Sequence, residues 1–509
     1  MKSIVTGDEM KKIEKYAIEE IGINSLVLME RAALSIASRI KKYATKKDKI
    51  CVVCGNGNNG ADGIAIARQL LEDDYKVAIV LLEEDKEKYS EEMKVQLSIL
   101  DKMGASLHHD IPTWEFDYYV DAIFGIGLSR EITDAKILNA IATINASDAY
   151  IYSVDIPSGI NANLGKVMGM AVKANETITF AYKKLGLMLH PGKQYAGKVT
   201  CENIGIPAIC IEKNPVNHYT YEENGEAYLL KREPDGHKGT FGKVAIIAGN
   251  QTITGACVLC AGTVLDSGAG MVKVLSQDKT LDIIRLVLPE AMVQPIDDFD
   301  TMENHIKETI EWADVIVIGS GIGVEEDAYL KMKYTLKNMT DKKKLVIDAD
   351  GINIISMHDE LRELTKSVKN IIYTPHMLEL QRLIGVEIEN LKQDLDRTME
   401  DVLSDSQAIY VCKDSVTRVY QKNKPVFVSS YGNSGMATAG SGDVLAGLIG
   451  AILAKKDVEI YNGCVLAVHL HSIAGDFAAK DYGKIGMTAS NIAEALENVL
   501  LTVEECFDV

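Results

Sequence analysis

Nowhere in these 509 residues does an apolar run reach the length that crosses a bilayer, and the opening segment MKSIVTGDEMKKIEKYAIEE is charged and amphipathic, without a signal's apolar stretch. A cytoplasmic protein with no membrane partner is expected. Positive charge is short as well: 54 Lys and Arg against 73 Asp and Glu leave a formal charge of −19, with no dense basic stripe. That argues against nucleic acid as a partner, because non-specific binding draws most of its affinity from phosphate neutralisation. Anionic small ligands stay open, through glycine N–H cradles and a few placed lysines. Short-period repeats and low-complexity segments are missing, which argues against a solenoid. Nine cysteines include two CxxC pairs, Cys51/Cys54 and Cys257/Cys260, but both sit in apolar runs with no histidine cluster nearby. They read as small core residues, and free thiols suit a reducing compartment.

At this length two domains of roughly 200 to 300 residues each are expected. Residues 206–232 (IPAICIEKNPVNHYTYEENGEAYLLKREPDG from 206 to 236) mix proline, asparagine and charge, so the boundary is set near 212–222, with domains at 1–215 and 222–509. Apolar spacing predicts two helices between Thr6 and Tyr43, ahead of any strand. A strand over 49–54, a Gly/Asn turn, a helix from about Gly63 to Leu71 and a strand over 76–82 follow, with further strands at 118–121, 150–154, 176–180 and 197–203. A second series opens with a strand at 242–249 and a helix at 255–267, then strands at 272–275, 315–318, 344–347, 371–373, 408–411 and 425–428, before long terminal helices. Short apolar strands alternating with helices imply α/β domains with doubly wound parallel sheets, covered on both faces.

The stretch GNSGMATAGSGDVLAG, residues 432–447, sets one acid among small residues. Its glycines let peptide N–H groups approach an anion, and the apolar run from Val444 to Leu453 reads as a helix whose positive end lies at the Gly440–Asp443 turn. Asp443 is expected to be a base beside a phosphoryl group, its pKa lowered by that helix end; the plainer reading is a capping Asp. In the first series Gly55, Gly57 and Gly60 satisfy GxGxxG after a strand, with Glu83 and Glu84 ending the next one, but Asn58, Asn59 and Asp62 exceed what a phosphate turn needs. They suggest hydrogen bonding to polar ligand edges or oxygen coordination of a cation. Asp121, the loop Gly125-Ile126-Gly127-Leu128-Ser129-Arg130, and Val154-Asp155-Ile156-Pro157-Ser158-Gly159 follow other strands and point at the same crevice.

By the motifs NNGADG (58–63), GIGLSR (125–130) and VDIPSG (154–159), residues 1 to about 213 resemble the YjeF N-terminal domain family of NAD(P)H-hydrate epimerases. The resemblance implies a Rossmann-like domain that interconverts the R and S forms of hydrated nicotinamide cofactors. It implies potassium held by Asn58, Asp121 and Ser158. Cofactor contacts would come from Asn59, Gly60, Ala61 and Asp62 and from Gly125, Ile126, Gly127, Leu128, Ser129 and Arg130, with Asp155 as acid/base. Ala61 stands where the family usually has Gly. Residues 225–505 resemble the ribokinase-like ADP- or ATP-dependent NAD(P)H-hydrate dehydratases, through GNSGMATAGSGDVLAG above all. There the resemblance makes Asp443 the general base that lets the ring hydroxyl take a phosphoryl group, which then leaves. Ala256, Gly321 and His376 would contact hydrated cofactor; Lys413, Asp414, Ser415, Val416, Thr417 and Gly442 would contact nucleotide, with magnesium as counter-ion. Asp414-Ser415 replace the family's Gly-Ala, and Met377-Leu378 follow Thr374-Pro375-His376 where Pro-Gly is usual.

The leading expectation is a bifunctional enzyme acting on NADHX and NADPHX with ADP or ATP, and a homo-oligomer. The alternative is a ribokinase-like small-molecule kinase fused to a non-catalytic Rossmann-like scaffold.

Overall fold

In the computed structural model, which describes residues 1–222, 225–232 and 234–505, the chain divides into two compact units: Ser3–His218, and Tyr219 onward with Met1–Lys2. Each unit is built on a parallel sheet.

In the first unit the strands run in the spatial order Leu107–His108, Lys76–Leu81, Lys49–Cys54, Tyr118–Ala122, Tyr150–Val154, Glu176–Phe180, Lys198–Glu202, all parallel. Strand Lys49–Cys54 shows why both faces are covered. Val52 and Cys54 belong to one apolar cluster and Cys51 and Val53 to another, so alternate side chains feed two cores. The chain winds outward from this strand on one side and then returns to its other side at Tyr118–Ala122. The crevice between those two strand ends is the topological switch point where ligands bind in open α/β sheets.

Sequence and structure part at the start of this unit. A strand, Lys2–Val5, precedes the first helix, contrary to expectation, because Ile4 and Val5 are fully buried and pair in parallel with Lys183 and Lys184. Helix Gly7–Glu19 then opens on a capping box, with Thr6 Oγ1 accepting from Glu9 N (3.2 Å) and Glu9 Oε2 accepting from Thr6 N (2.7 Å). The next helix but one spans Asn58–Glu72, five residues earlier than predicted at its start, so Asn58, Asn59 and Asp62 lie on its first turns instead of in a loop.

The second unit orders its strands Met292–Pro295, Met271–Ser276, Lys243–Ile247, Val315–Ile318, Lys344–Ile347, Ile371–Tyr373, Ile409–Cys412, all parallel. Two antiparallel strands, Arg418–Tyr420 and Val426–Val428, extend it. Again alternate residues divide, Val244 and Ile246 to one core, Ala245 and Ile247 to the other. Helix Ser441–Ala454 is buried on nearly every side, packed between helices Gly255–Asp266 and Ile460–Gly486. The strands at 107–108, 292–295 and 418–420 have no counterpart in the sequence-based expectation; they are two to four residues long.

The cysteines of both CxxC pairs are fully buried, two on strand Lys49–Cys54 and two on helix Gly255–Asp266, and burial raises their thiol pKa values. Among the described residues no helix is long and apolar enough to cross a membrane.

Helix Asn58–Glu72 rests on the sheet at Gly63, where a Cβ would lie 2.6 Å from Ala122 Cβ and 2.7 Å from Cys54 Sγ. Gly63→Val should therefore destabilise the first unit by about 1–3 kcal/mol through overpacking, read as a lowered transition in chemical unfolding; an unchanged midpoint would contradict this packing.

Candidate active sites

In the first unit the carboxyl ends of the strands bring together two separate groups. Asp121, at the end of Tyr118–Ala122, is fully buried. It accepts hydrogen bonds from Ser153 Oγ (2.8 Å), Ser158 N (2.8 Å), Ser158 Oγ (2.5 Å) and Ile123 N (3.4 Å). Burial raises its pKa against the pull of the Ser158 bonds. Among the described residues no ion pair reaches it, so hydroxyl and N–H groups alone balance its charge. Ser158 Oγ also meets the Phe124 amide (2.8 Å) and carbonyl (3.3 Å), which fixes the entry to the 125–130 loop. This oxygen-rich, cation-free set fits a monovalent cation. Asn58 is exposed, and no contact in the structure joins it to Asp121 or Ser158.

The second group centres on Asp155, which follows strand Tyr150–Val154 with φ of 65°, a left-handed conformation that a non-glycine residue holds only where its surroundings demand it. Those surroundings are Thr179 Oγ1 (2.9 Å), Phe180 N (3.3 Å) and the Lys184 ammonium, which pairs with Asp155 Oδ1. Lys184 is 1% exposed and also donates to Thr179 Oγ1 and the Phe180 carbonyl, each at 3.0 Å. Asp62 and Glu14 feel the same charges. Burial, then Asp155 and Glu14, raise the Asp62 pKa well above its usual value. Glu14 is pushed up to about 7 by burial, with Lys184 opposing and Asp155 adding.

Of the other expected cofactor contacts, Asn59 is drawn to the 125–130 loop, since a Cβ on Gly125 would meet its side chain at 3.2 Å, and Asn59 Nδ2 is buried without a hydrogen-bond partner. Gly60 and Ala61 are buried in the helix's first turn, so the extra methyl of Ala61 packs inward. Ile126 and Leu128 are half-buried, whereas Gly127, Ser129 and Arg130 are exposed at the loop's outer part. Glu83 and Glu84 are engaged in ion pairs with Lys88 and Lys136, both at 2.8 Å.

In the second unit Gly440 precedes helix Ser441–Ala454 with φ of 92° and no side chain caps that end; Ser441 N donates to the Thr438 carbonyl (3.4 Å), and the next two amides have no partner within the helix. Asp443 sits in that first turn. Its pKa is raised to about 6, contrary to the lowering expected from the helix end: burial and the neighbouring Asp348 carboxylate outweigh the helix, while Ser320 and Lys413 act the other way. The Ser320 hydroxyl is buried and without a partner in full hydrogen-bond geometry. Lys413 Nζ donates to Asp348 Oδ1 (2.7 Å), which also accepts from Thr374 Oγ1 (2.6 Å), and a Cβ on Gly442 would lie 3.1 Å from that ammonium. Burial works against the charge on Lys413, yet Asp348 and Glu379 raise its pKa.

His376 bridges in parallel to Lys413 and caps helix Met377–Ile384, Nδ1 accepting from Leu378 N (3.1 Å) and Glu379 N (3.3 Å). Burial, with Lys413 and Arg382, lowers its pKa, so the neutral ring is favoured. Met377-Leu378 thus begin a capped helix. A Cβ on Gly321 would lie 3.1 Å from Ala256 Cβ, which brings those two together next to Ser320. Asp414 and Ser415 are exposed in the turn between Ile409–Cys412 and Arg418–Tyr420; Val416 is buried, Thr417 half-buried, and no contact carries these four to Gly442.

Sequence reasoning passed over Glu14, Thr179, Lys184 and His471 as site residues. Lys184 carried a signal, as a lysine inside a largely apolar stretch, and so did His471 within the apolar run of helix Ile460–Gly486, where burial lowers its pKa to about 4. A cavity of about 1470 Å³ lined by Tyr118, Tyr150, Tyr152 and Trp114 opens at the amino ends of the first unit's strands, the opposite edge from Asp121 and Asp155.

Two doubly wound α/β units, each with buried acids and a lysine at its strand ends, define a two-site enzyme whose second half is ribokinase-like. Residues 25–186 match the family model for the YjeF-related protein N-terminus, and residues 244–498 that for NAD(P)H-hydrate dehydratase. The chain is 30% identical to the bifunctional NAD(P)H-hydrate repair enzyme Nnr of Thermofilum pendens, over 98% of this chain and 96% of that protein. It is 32% identical to the protein of that name in Moorella thermoacetica, over 99% of this chain and 97% of the other. A ribokinase-like superfamily protein of Enterococcus faecalis V583, of solved structure, is 28% identical with a TM-score of 0.50, covering 56% of this chain and 96% of its own. The chain belongs to the family of bifunctional NAD(P)H-hydrate repair enzymes.

Lys184→Met should leave Asp155 buried without its cation and cost the first unit about 3–5 kcal/mol. Urea titration followed by tyrosine fluorescence checks this; a loss below 1 kcal/mol would mean that water replaces the ammonium.

Proposed function

We propose that the chain repairs hydrated nicotinamide cofactors with both units. The first interconverts R- and S-NADHX and NADPHX. The second dehydrates the S form to NADH or NADPH, with ADP as the favoured co-substrate and ATP as the other. The observation that carries the reading is Asp443: a carboxyl raised to about 6, in the first turn of a helix whose amino end no side chain caps, beside Lys413. At neutral pH it is largely ionised and still basic enough to take a proton.

In this reading Asp443 takes the proton of the ring hydroxyl as its oxygen attacks the terminal phosphate. The new O–P bond forms as the phosphoanhydride breaks, releasing AMP from ADP or ADP from ATP. Phosphate then departs with the C–O electron pair while the neighbouring ring carbon loses a proton, and the ring double bond returns. The amides from Gly440 to Asp443 hold the transferring charge, Lys413 to Thr417 and Gly442 hold nucleotide, and Ala256, Gly321 and His376 hold the hydrated ring. Magnesium would arrive on the nucleotide phosphates, since it keeps several waters and uses few protein oxygens.

In the first unit Asn59 to Asp62 and Gly125 to Arg130 bind the hydrated cofactor, and Asp155 moves the proton. Asn58, Asp121 and Ser158 would hold potassium, whose charge would offset the buried Asp121 carboxylate. A small-molecule kinase joined to a scaffold is not favoured, because Asp155, Thr179 and Lys184 form a complete acid, hydroxyl and cation set at the first site.

Purified protein given S-NADHX and ADP should regain NADH absorbance, and Asp443→Asn should abolish this while R/S exchange continues. Recovery of NADH by that variant would remove Asp443 as base. Asp155→Asn should slow exchange by about 10²-fold or more. Because Asp443 must be ionised, kcat/KM for dehydration should rise about tenfold per pH unit up to about pH 6 and level off above it. A released phosphorylated product, without NADH, would favour the kinase.

A further inference from the structure

Helix Gly7–Glu19 is not among the strand-end loops that build the first site, yet it is seated directly against them. Gly7 N donates to Asn163 Oδ1 (2.7 Å), and a Cβ on Gly7 would fall 2.9 Å from the Ile126 carbonyl of the 125–130 loop. Its buried face, Met10, Ile13 and Ala17, packs in one cluster with Ile126 and with Ala181 and Tyr182. Ala181 directly follows Phe180, whose amide binds Asp155. Glu14 is one residue from Ile13 and a turn from both Met10 and Ala17, half-buried at the edge of this contact.

We propose that Glu14 is a second proton-holding group of the epimerase site, forming with Asp62 and Asp155 a three-carboxyl cluster around the single buried cation of Lys184. This rests on the reading of the first unit as an epimerase. The charges that act on Glu14 are Lys184 and Asp155 from the strand-end segments and Lys11 on its own helix; Glu14 in turn acts on Asp62 of helix Asn58–Glu72, as Glu92 does. Three ionised carboxylates around one ammonium would leave two uncompensated negative charges in a half-buried space, so the cluster retains a proton. Lys184 is committed to Asp155, and that proton falls to Glu14 or Asp62. The raised values of both acids agree, with Glu14 at about 7.

A stored proton is what exchange of the two ring epimers calls for. The ring C–O bond breaks with its electron pair on oxygen, the oxygen takes the cluster's proton and leaves as water, and the ring nitrogen lone pair forms the C=N bond. Water then adds to the opposite face, the C=N pair returns to nitrogen, and the added water gives its proton back to the cluster. No other reactant is consumed. A carboxyl protonated near neutrality serves both directions, whereas a fully ionised cluster could only accept.

The test uses the full chain without nucleotide, so that dehydration is silent, and follows R/S exchange of NADHX by chromatography from pH 5.5 to 9. Glu14 is protonated below about 7, so wild-type kcat/KM should fall about tenfold per pH unit above that point. Glu14→Gln should slow exchange about tenfold or more at pH 6 and flatten the profile, and Glu14→Asp should restore a descending limb. A wild-type limb retained in Glu14→Gln overturns the proposal. Wild-type protein labelled with carbon-13 at glutamate carboxyls gives a second reading that does not need the variants. One glutamate titrating within about a unit of pH 7 supports it, and all glutamates titrating below about 5.5 overturn it. No exchange by wild type at any pH would remove the epimerase reading, which the carboxyl titration leaves separate.

Discussion

Parallel strands buried on both faces must all end at the same edge of their sheet, and this constraint makes both sites possible. Groups far apart in sequence are delivered to one rim without any local motif joining them. Asp121 and Ser158 meet across 37 residues, and Lys413 and Asp348 across 65. At that rim the side chains are close enough to the core to lose water but not closed off from ligand, so each charge must find a partner or shift its pKa. The tyrosine-lined cavity at the opposite edge carries no comparable group of buried acids around a lysine.

The two units distribute their lysine differently, and their acids differ accordingly. Lys184 is spent on Asp155, with Thr179 and the Phe180 carbonyl completing its shell. Asp62 and Glu14 are left to share what charge remains, and their pKa values rise. Lys413 is spent on Asp348, which then acts as a negative neighbour of Asp443. The helix end and Ser320 recover only part of that cost. Asp443 is thereby poised near neutrality, where an acid ionised only by a helix end would be too weak a base to move a hydroxyl proton.

Much of this was legible in the residues. The strands at 150–154, 176–180, 315–318, 344–347 and 371–373 have the predicted bounds, because short runs rich in β-branched and aromatic residues between polar turns admit few other structures. The glycine turn before Asp443 was legible because glycines are costly in a helix and allow close backbone approach. The early start of helix Asn58–Glu72 was not, since Asn-Asn-Gly-Ala-Asp has weak helix propensity, and its packing on Cys54 and Ala122 through Gly63 imposes the helix. Glu14 looks like part of the solvated face of an amphipathic helix; only the folded chain shows it half-buried and within the influence of Lys184 and Asp155. The sign of the Asp443 shift was misread for the same reason. Sequence reveals the helix end, but Asp348 lies 95 positions away and becomes its neighbour only through the sheet.

The titrations of the two sites overlap in a way that suits one chain doing both jobs. On the proposed roles, dehydration needs Asp443 ionised, which holds above about pH 6, and exchange of epimers needs Glu14 protonated, which holds below about 7. Between those limits both groups are in their working state. Outside them the functions fail in opposite directions: in acid the R form still converts to S but S accumulates, and in base S is consumed while R is stranded. A dehydratase acting on one epimer is only as complete as the supply of that epimer. On those proposed roles, the narrow range shared by the two carboxyls sets where the whole repair sequence runs, through burial and charge placement at each site.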